Sequence, residues 1–97
     1  MGTGDDGDVA VLHCLHTQLR LLAAAMTVDA SAPEVTAMLA GLADTTAAAS
    51  AVLAVAEPGT LDVLGRAFAY AKARRHDESA TELVAAHGRL SLLLRET

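Results

Sequence analysis

Apolar residues in this chain recur every three or four positions, and that spacing leaves little besides α-helix open to it. Val9, Leu12, Leu15, Leu19, Leu22 and Met26 fall on one stripe at roughly 100° per residue. The same period returns in three further blocks. They are Val35, Met38, Leu39, Leu42, Thr46, Ala49 and Leu53; then Leu64, Ala67, Phe68 and Ala71; then Leu83, Ala86, Leu90 and Leu94. β-Branched residues nowhere alternate with polar ones over a useful length, so no strand is expected. The pattern predicts an all-α fold, a four-helix bundle or two packed helical hairpins, dimeric in its working form.

Punctuation between the blocks sets the expected boundaries. Residues 1–7 are Gly-rich and acidic and read as a disordered leader, with Asp8 capping a first helix over 9–27. Ser31–Glu34 (SAPE) combines a capping Ser, a first-turn Pro and the Glu of a capping box, and opens a second helix over 32–56. Glu57–Thr60 (EPGT) is the clearest break: Pro58 and Gly59 end helix two and Thr60 caps helix three, over 61–75. His76 and Asp77 form a short junction before a fourth helix over 78–95. Residues 8–97 then make one helical domain, as the length of 97 implies.

Composition closes off several functions. A net charge of −5 speaks against a general nucleic-acid binder. With 53% apolar and 20% charged residues, the chain has the makings of a core, not of a disordered segment. The lone Cys14 excludes an internal disulfide and a Cys-based zinc site, and reads as a small semi-buried core thiol. No uncharged apolar run reaches the roughly 18–20 residues of a spanning helix, so no membrane insertion is expected. The acidic start lacks the basic opening of a signal peptide, and Asp6 stands where a myristoylation motif wants Ser or Thr. A cytoplasmic address follows as the default. The excess of Ala and Arg over Ile, Asn and Lys is the codon signature of a GC-rich bacterial genome.

The far side of helix two is the unusual feature. Ala37, Ala40, Gly41, Ala47, Ala48, Ala51 and Val55 leave only Thr36 and Asp44 as polar markers there. On helix four, Leu92 and Val84 point off the main stripe. Ordering a backbone costs roughly 1–2 kcal/mol per residue, a thin balance for a chain of this size. Pairing two copies through these surfaces enlarges the buried core. The expected function is a non-catalytic helical protein–protein interaction module, an adaptor or accessory protein, homodimeric and binding another protein, with no cofactor.

Chemistry-bearing residues are few. His13 and His16 share a helix face at i, i+3 and could hold a metal, but Arg20 shares that face and a solvated polar surface is the expected reading. His13 lies about 100° from Cys14 around the helix, so the two do not make a nucleophile–base pair. The run Lys72–His76 (KARRH) could take a phosphate or an acidic partner, although cations also suit a helix C-terminus. His87 falls near the apolar edge of helix four as a partly buried ring bonded to a neighbour. GTGDDG lacks the strand and lysine of a phosphate loop, and the scattered acids lack the Glu-x-x-His pattern of di-iron bundles.

Three resemblances accompany these readings. His13–Leu19 (HCLHTQL) resembles the phosphoacceptor box of sensor histidine kinases, matching at His13, Leu15, Thr17 and Leu19, with Cys14 in the acidic position and Gln18 in the proline position. That resemblance implies a dimerisation hairpin with His13 as phosphoacceptor, and makes phosphotransfer the alternative function. The length and helical halves are similar to small helical-hairpin proteins exported by type VII secretion. EPGT stands at the turn in place of Trp-x-Gly, and Arg74 four residues after Tyr70 in place of an acid. Residues 64–90 resemble a tetratricopeptide unit in helix–turn–helix character, but their small residues fall at a different spacing.

Overall fold

The computed structural model describes residues 3–96 as four α-helices: α1 Thr3–Asp29, α2 Pro33–Ala56, α3 Pro58–Lys72 and α4 His76–Glu96. They pack antiparallel as a ring, with α1 against α2, α2 against α3, α3 against α4, and α4 returning to α1. The 27 residues of α1 rise about 40 Å, which accounts for most of the 44 Å long axis.

The core is the set of stripes turned inward. Leu12, Leu15, Leu19, Leu22 and Met26 meet Val35, Leu42, Ala49 and Leu53 of α2, Val63, Leu64 and Ala67 of α3, and Leu83, Ala86 and Leu90 of α4. Burying such side chains contributes roughly 1.5–3 kcal/mol each. Val9, expected on the first stripe, lies 36% exposed beyond the end of this packing. A buried polar tie joins α4 to α3: the Ser79 hydroxyl donates to the Ala67 carbonyl at 2.8 Å.

The helix ends depart from the sequence reading in instructive ways. α1 starts at Thr3, so residues 3–7 belong to the helix and Asp8 sits inside it rather than capping it; Met1 and Gly2 lie outside the described residues. Once a packed stripe has nucleated a helix, each further residue adds a hydrogen bond at little cost. At α2 the N-cap is Ala32, not Ser31. A residue before proline is pushed out of the α region, and Ala32 is extended at φ −62°, ψ 143°. Ser31 instead donates through its N–H and hydroxyl to the Asp29 carboxylate, at 3.1 and 2.8 Å.

The α2–α3 corner is tighter than expected. Glu57 alone closes α2 and opens α3, and Pro58 is the first helical residue, where its missing N–H costs nothing. Thr60 is therefore no cap: it lies fully buried within α3, its hydroxyl without a hydrogen-bond partner. Glu57 is held from α4 by Arg89 at 3.2 Å, and a Cβ on Gly59 would meet the ends of both side chains.

α3 stops three residues early because the chain turns left-handed at Arg74 (φ 61°). The Arg74 N–H donates to the Ala71 carbonyl at 3.1 Å and the Arg75 N–H to the Tyr70 carbonyl at 2.8 Å, the paired bonds of a Schellman stop. The Arg75 guanidinium lies 5.3 Å over the Tyr70 ring, in place of the apolar contact such stops usually carry. His76 then begins α4 instead of lying in the junction.

Candidate functional site

The outer face of α2 is an apolar surface that no other helix of the bundle covers. Ala37, Ala40, Ala47, Ala48 and Ala51 are exposed there, and Val55 is 87% exposed. At roughly 100° per residue, Asp44 falls in the centre of this face. It also stands at the middle of the Pro33–Ala56 helix and is exposed. Gly41 differs from the others. It is half-buried at the α1–α2 seam, with the Gln18 amide nitrogen 3.9 Å from where a Cβ would stand. Gln18, Leu21, Met38 and Gly41 line a cavity of about 210 Å³ along that seam. Leu21 is 51% exposed, and the Gln18 Oε1 is buried without a partner. The alanine face thus continues into a shallow groove whose wall is an exposed leucine of α1.

Leu92, expected to contribute to the same interface, is 59% exposed, and Val84 is exposed with it. Both are on α4, at the opposite corner of the ring from α2, so they belong to a separate surface.

By length and composition, α1 from Gly7 and α2 are apolar enough to cross a membrane. Counting uncharged runs passes over them, because Asp44 and the histidines interrupt each one. Only 17% of the apolar window of α2 is buried within the bundle.

Packing α1 against α4 makes a second cluster. His16 of α1 and His87 of α4 stack with centroids 4.2 Å apart and planes 23° from parallel. His16 Nε2 is in hydrogen-bond contact with Ser91 Oγ at 2.7 Å. His87 was expected to be bonded to a neighbour; it is held by stacking, and its Nε2 is buried without a hydrogen-bond partner. His13, His16, Ser91, Leu94 and Arg95 line an open cavity of about 380 Å³. His13 is exposed, and Cys14 is exposed too, not a semi-buried core thiol. Positions 14 and 13 lie outside the arc that the Leu12–Leu15–Leu19 stripe buries. Among the described residues no three side chains gather that could hold a metal.

Burial holds the His16 imidazole below its ordinary value of 6.5, helped by His87, Arg20 and His13. The folded protein therefore binds fewer protons at this site than the unfolded chain does. The stability owed to neutral His16 is present above pH 6.5 and is lost as the pH falls from there through the lower value of the folded state. Thermal unfolding followed across this range should show Tm dropping on the acid side. His16→Gln should flatten the drop, and an unchanged slope in that variant would show that other groups cause it.

No protein-family model matches the chain, and neither a curated protein nor a solved structure matches it.

Proposed function

We propose that this protein is a non-catalytic helical interaction module that pairs with a second copy of itself through the outer face of α2. The observation that supports the reading is the mismatch between composition and burial in that helix. The exposed residues Ala37, Ala40, Ala47, Ala48, Ala51 and Val55 form a face with one charge at its centre. Alanine side chains let a second helix approach closely, so that backbones and side chains interlock over a narrow seam. The groove beside Gly41 gives such a helix a place to seat a larger side chain.

A lipid surface is a poorer fit for this face. Membrane-surface helices carry Lys and Arg beside large apolar groups. α2 has no basic residue, and its exposed apolar groups are small. Residues 21–65 contain no Lys or Arg at all. A homodimer of antiparallel α2 helices buries the alanines of both copies and brings the two Asp44 carboxylates near the two-fold axis. A different partner helix would complement the same face best with a cation opposite Asp44, which suits the adaptor role.

Phosphotransfer through His13 rests on the exposure of that ring. The position that supplies a carboxylate in the kinase box is the exposed thiol of Cys14. That leaves the histidine without the neighbouring base the chemistry uses.

Sedimentation equilibrium over a micromolar concentration series tests the pairing. A mass moving from one chain to two as concentration rises is the expected result. A mass of one chain throughout would overturn it.

A further inference from the structure

We propose that the cavity between the two turns at one end of the bundle is a binding site for a small phosphate monoester. α1 turns into α2 through residues 30–32 and α3 into α4 through residues 73–75. The antiparallel packing brings both turns to the same end. Between them lies a cavity of about 360 Å³, lined by Ser31, Thr36, Lys72, Arg74 and His76 with two alanines. That volume falls within the range that holds small metabolites, roughly 300–1,000 Å³.

Its chemistry is that of an anion site. Lys72 and Arg74 bring two fixed positive charges, His76 a third nitrogen donor, and Thr36 a hydroxyl, while the Ser31 hydroxyl is donated to Asp29. No carboxylate is among the lining residues. Of the acids at this end, Glu78 is neutralised within the fold. Asp29 accepts both donors of Ser31, and Glu78 is paired with Arg75 at 2.6 Å, which holds its carboxyl below the usual range. Glu34 and Asp77 are exposed. Lys72 and Arg74 form no ion pair with any described residue. A guanidinium and an ammonium facing one cavity, with the Thr36 hydroxyl beside them, match the doubly charged, oxygen-rich head of a phosphate monoester.

Two local features fit this use. Arg74 occupies the left-handed position that helix stops give to glycine, so the chain keeps a charged side chain where glycine would be more stable. The His76 Nδ1 is buried without a hydrogen-bond partner, so a half-turn of that ring moves it without breaking a bond.

The full chain, titrated calorimetrically with inorganic phosphate and separately with a short alkyl phosphate monoester at constant ionic strength, gives the test. Both probes should bind saturably, and chloride should not. Lys72→Gln should weaken binding at least about tenfold. Arg74→Gly is the decisive variant. It should raise Tm by several degrees, by relieving the left-handed residue, while weakening phosphate binding by a similar factor of about ten. Equal effects of chloride and phosphate would overturn the proposal. So would binding of inorganic phosphate without the monoester, or an Arg74→Gly protein that is stabilised and binds phosphate unchanged.

Discussion

Replacing Leu53 by alanine is expected to lower the free energy of unfolding by about 2–5 kcal/mol. Leu53 is fully buried where α2 packs into the bundle, and truncating it leaves a cavity that rigid helices on both sides cannot collapse into. A domain of this kind holds only about 5–15 kcal/mol in total. Urea denaturation should therefore show a midpoint far below that of the parent protein, with an unchanged slope. Val55 gives the control two residues away. It is 87% exposed, so at protein concentrations where the chain is single Val55→Ala should stay within about 0.5 kcal/mol of the parent. Equal losses from the two variants would mean that the inner and outer faces of α2 are not those described.

The second large effect concerns association. Ala48→Arg puts a long charged side chain onto the small-residue face, where the proposed pairing brings two helices close. Overpacking by that side chain should weaken the proposed dimer by more than about thirtyfold, some 2 kcal/mol. The fold itself should be untouched, since Ala48 is exposed and an Arg there sits four residues from Asp44 on the same helix. Such an i, i+4 pair stabilises a helix by about 0.2–0.5 kcal/mol. Asp44→Asn is the converse: removing like charges from the two-fold axis should tighten pairing by roughly threefold. Sedimentation of the three proteins decides the matter. A dimer indifferent to Ala48→Arg would have to be built elsewhere, with the α4 surface of Leu92 and Val84 the next place to look.

How far the sequence carried the fold can be seen stripe by stripe. A leucine every three to four residues has one physical solution, so the four helices and nearly all of the core were legible, including the inward turn of Leu83, Ala86 and Leu90. The exposed second side of α2 was legible for the same reason. Ends were harder. Ser31 has the side chain of a cap, but Pro33 denies helical geometry to Ala32 and moves the start by one residue. Thr60 likewise looks like a cap until Pro58 is allowed to be the first helical residue. Arg74 at a left-handed stop carries no sequence signal, because glycine is the residue that marks such positions.

The sites depend on packing between distant elements, and there the sequence was silent. His16 and His87 are 71 positions apart, and only the return of α4 onto α1 stacks them. The KARRH run was visible as charge, but its cavity exists because residues 30–36 fold to the same end. Cys14 was misplaced because a small apolar residue next to a leucine stripe can fall on either edge, and this one falls outside.

The corner at Glu57 bears on how two copies can meet. Many helical dimers form by exchange, with a hairpin swinging out to complete a neighbour when its hinge straightens into one long rod. A one-residue hinge would invite that, but Pro58 stands in it. In the middle of a continuous rod, its ring would collide with the Ala54 carbonyl and one hydrogen bond would be lost, a penalty of about 3 kcal/mol or more. That penalty favours hairpins that stay folded on their own chain, so the pairing proposed for α2 would be a meeting of finished surfaces.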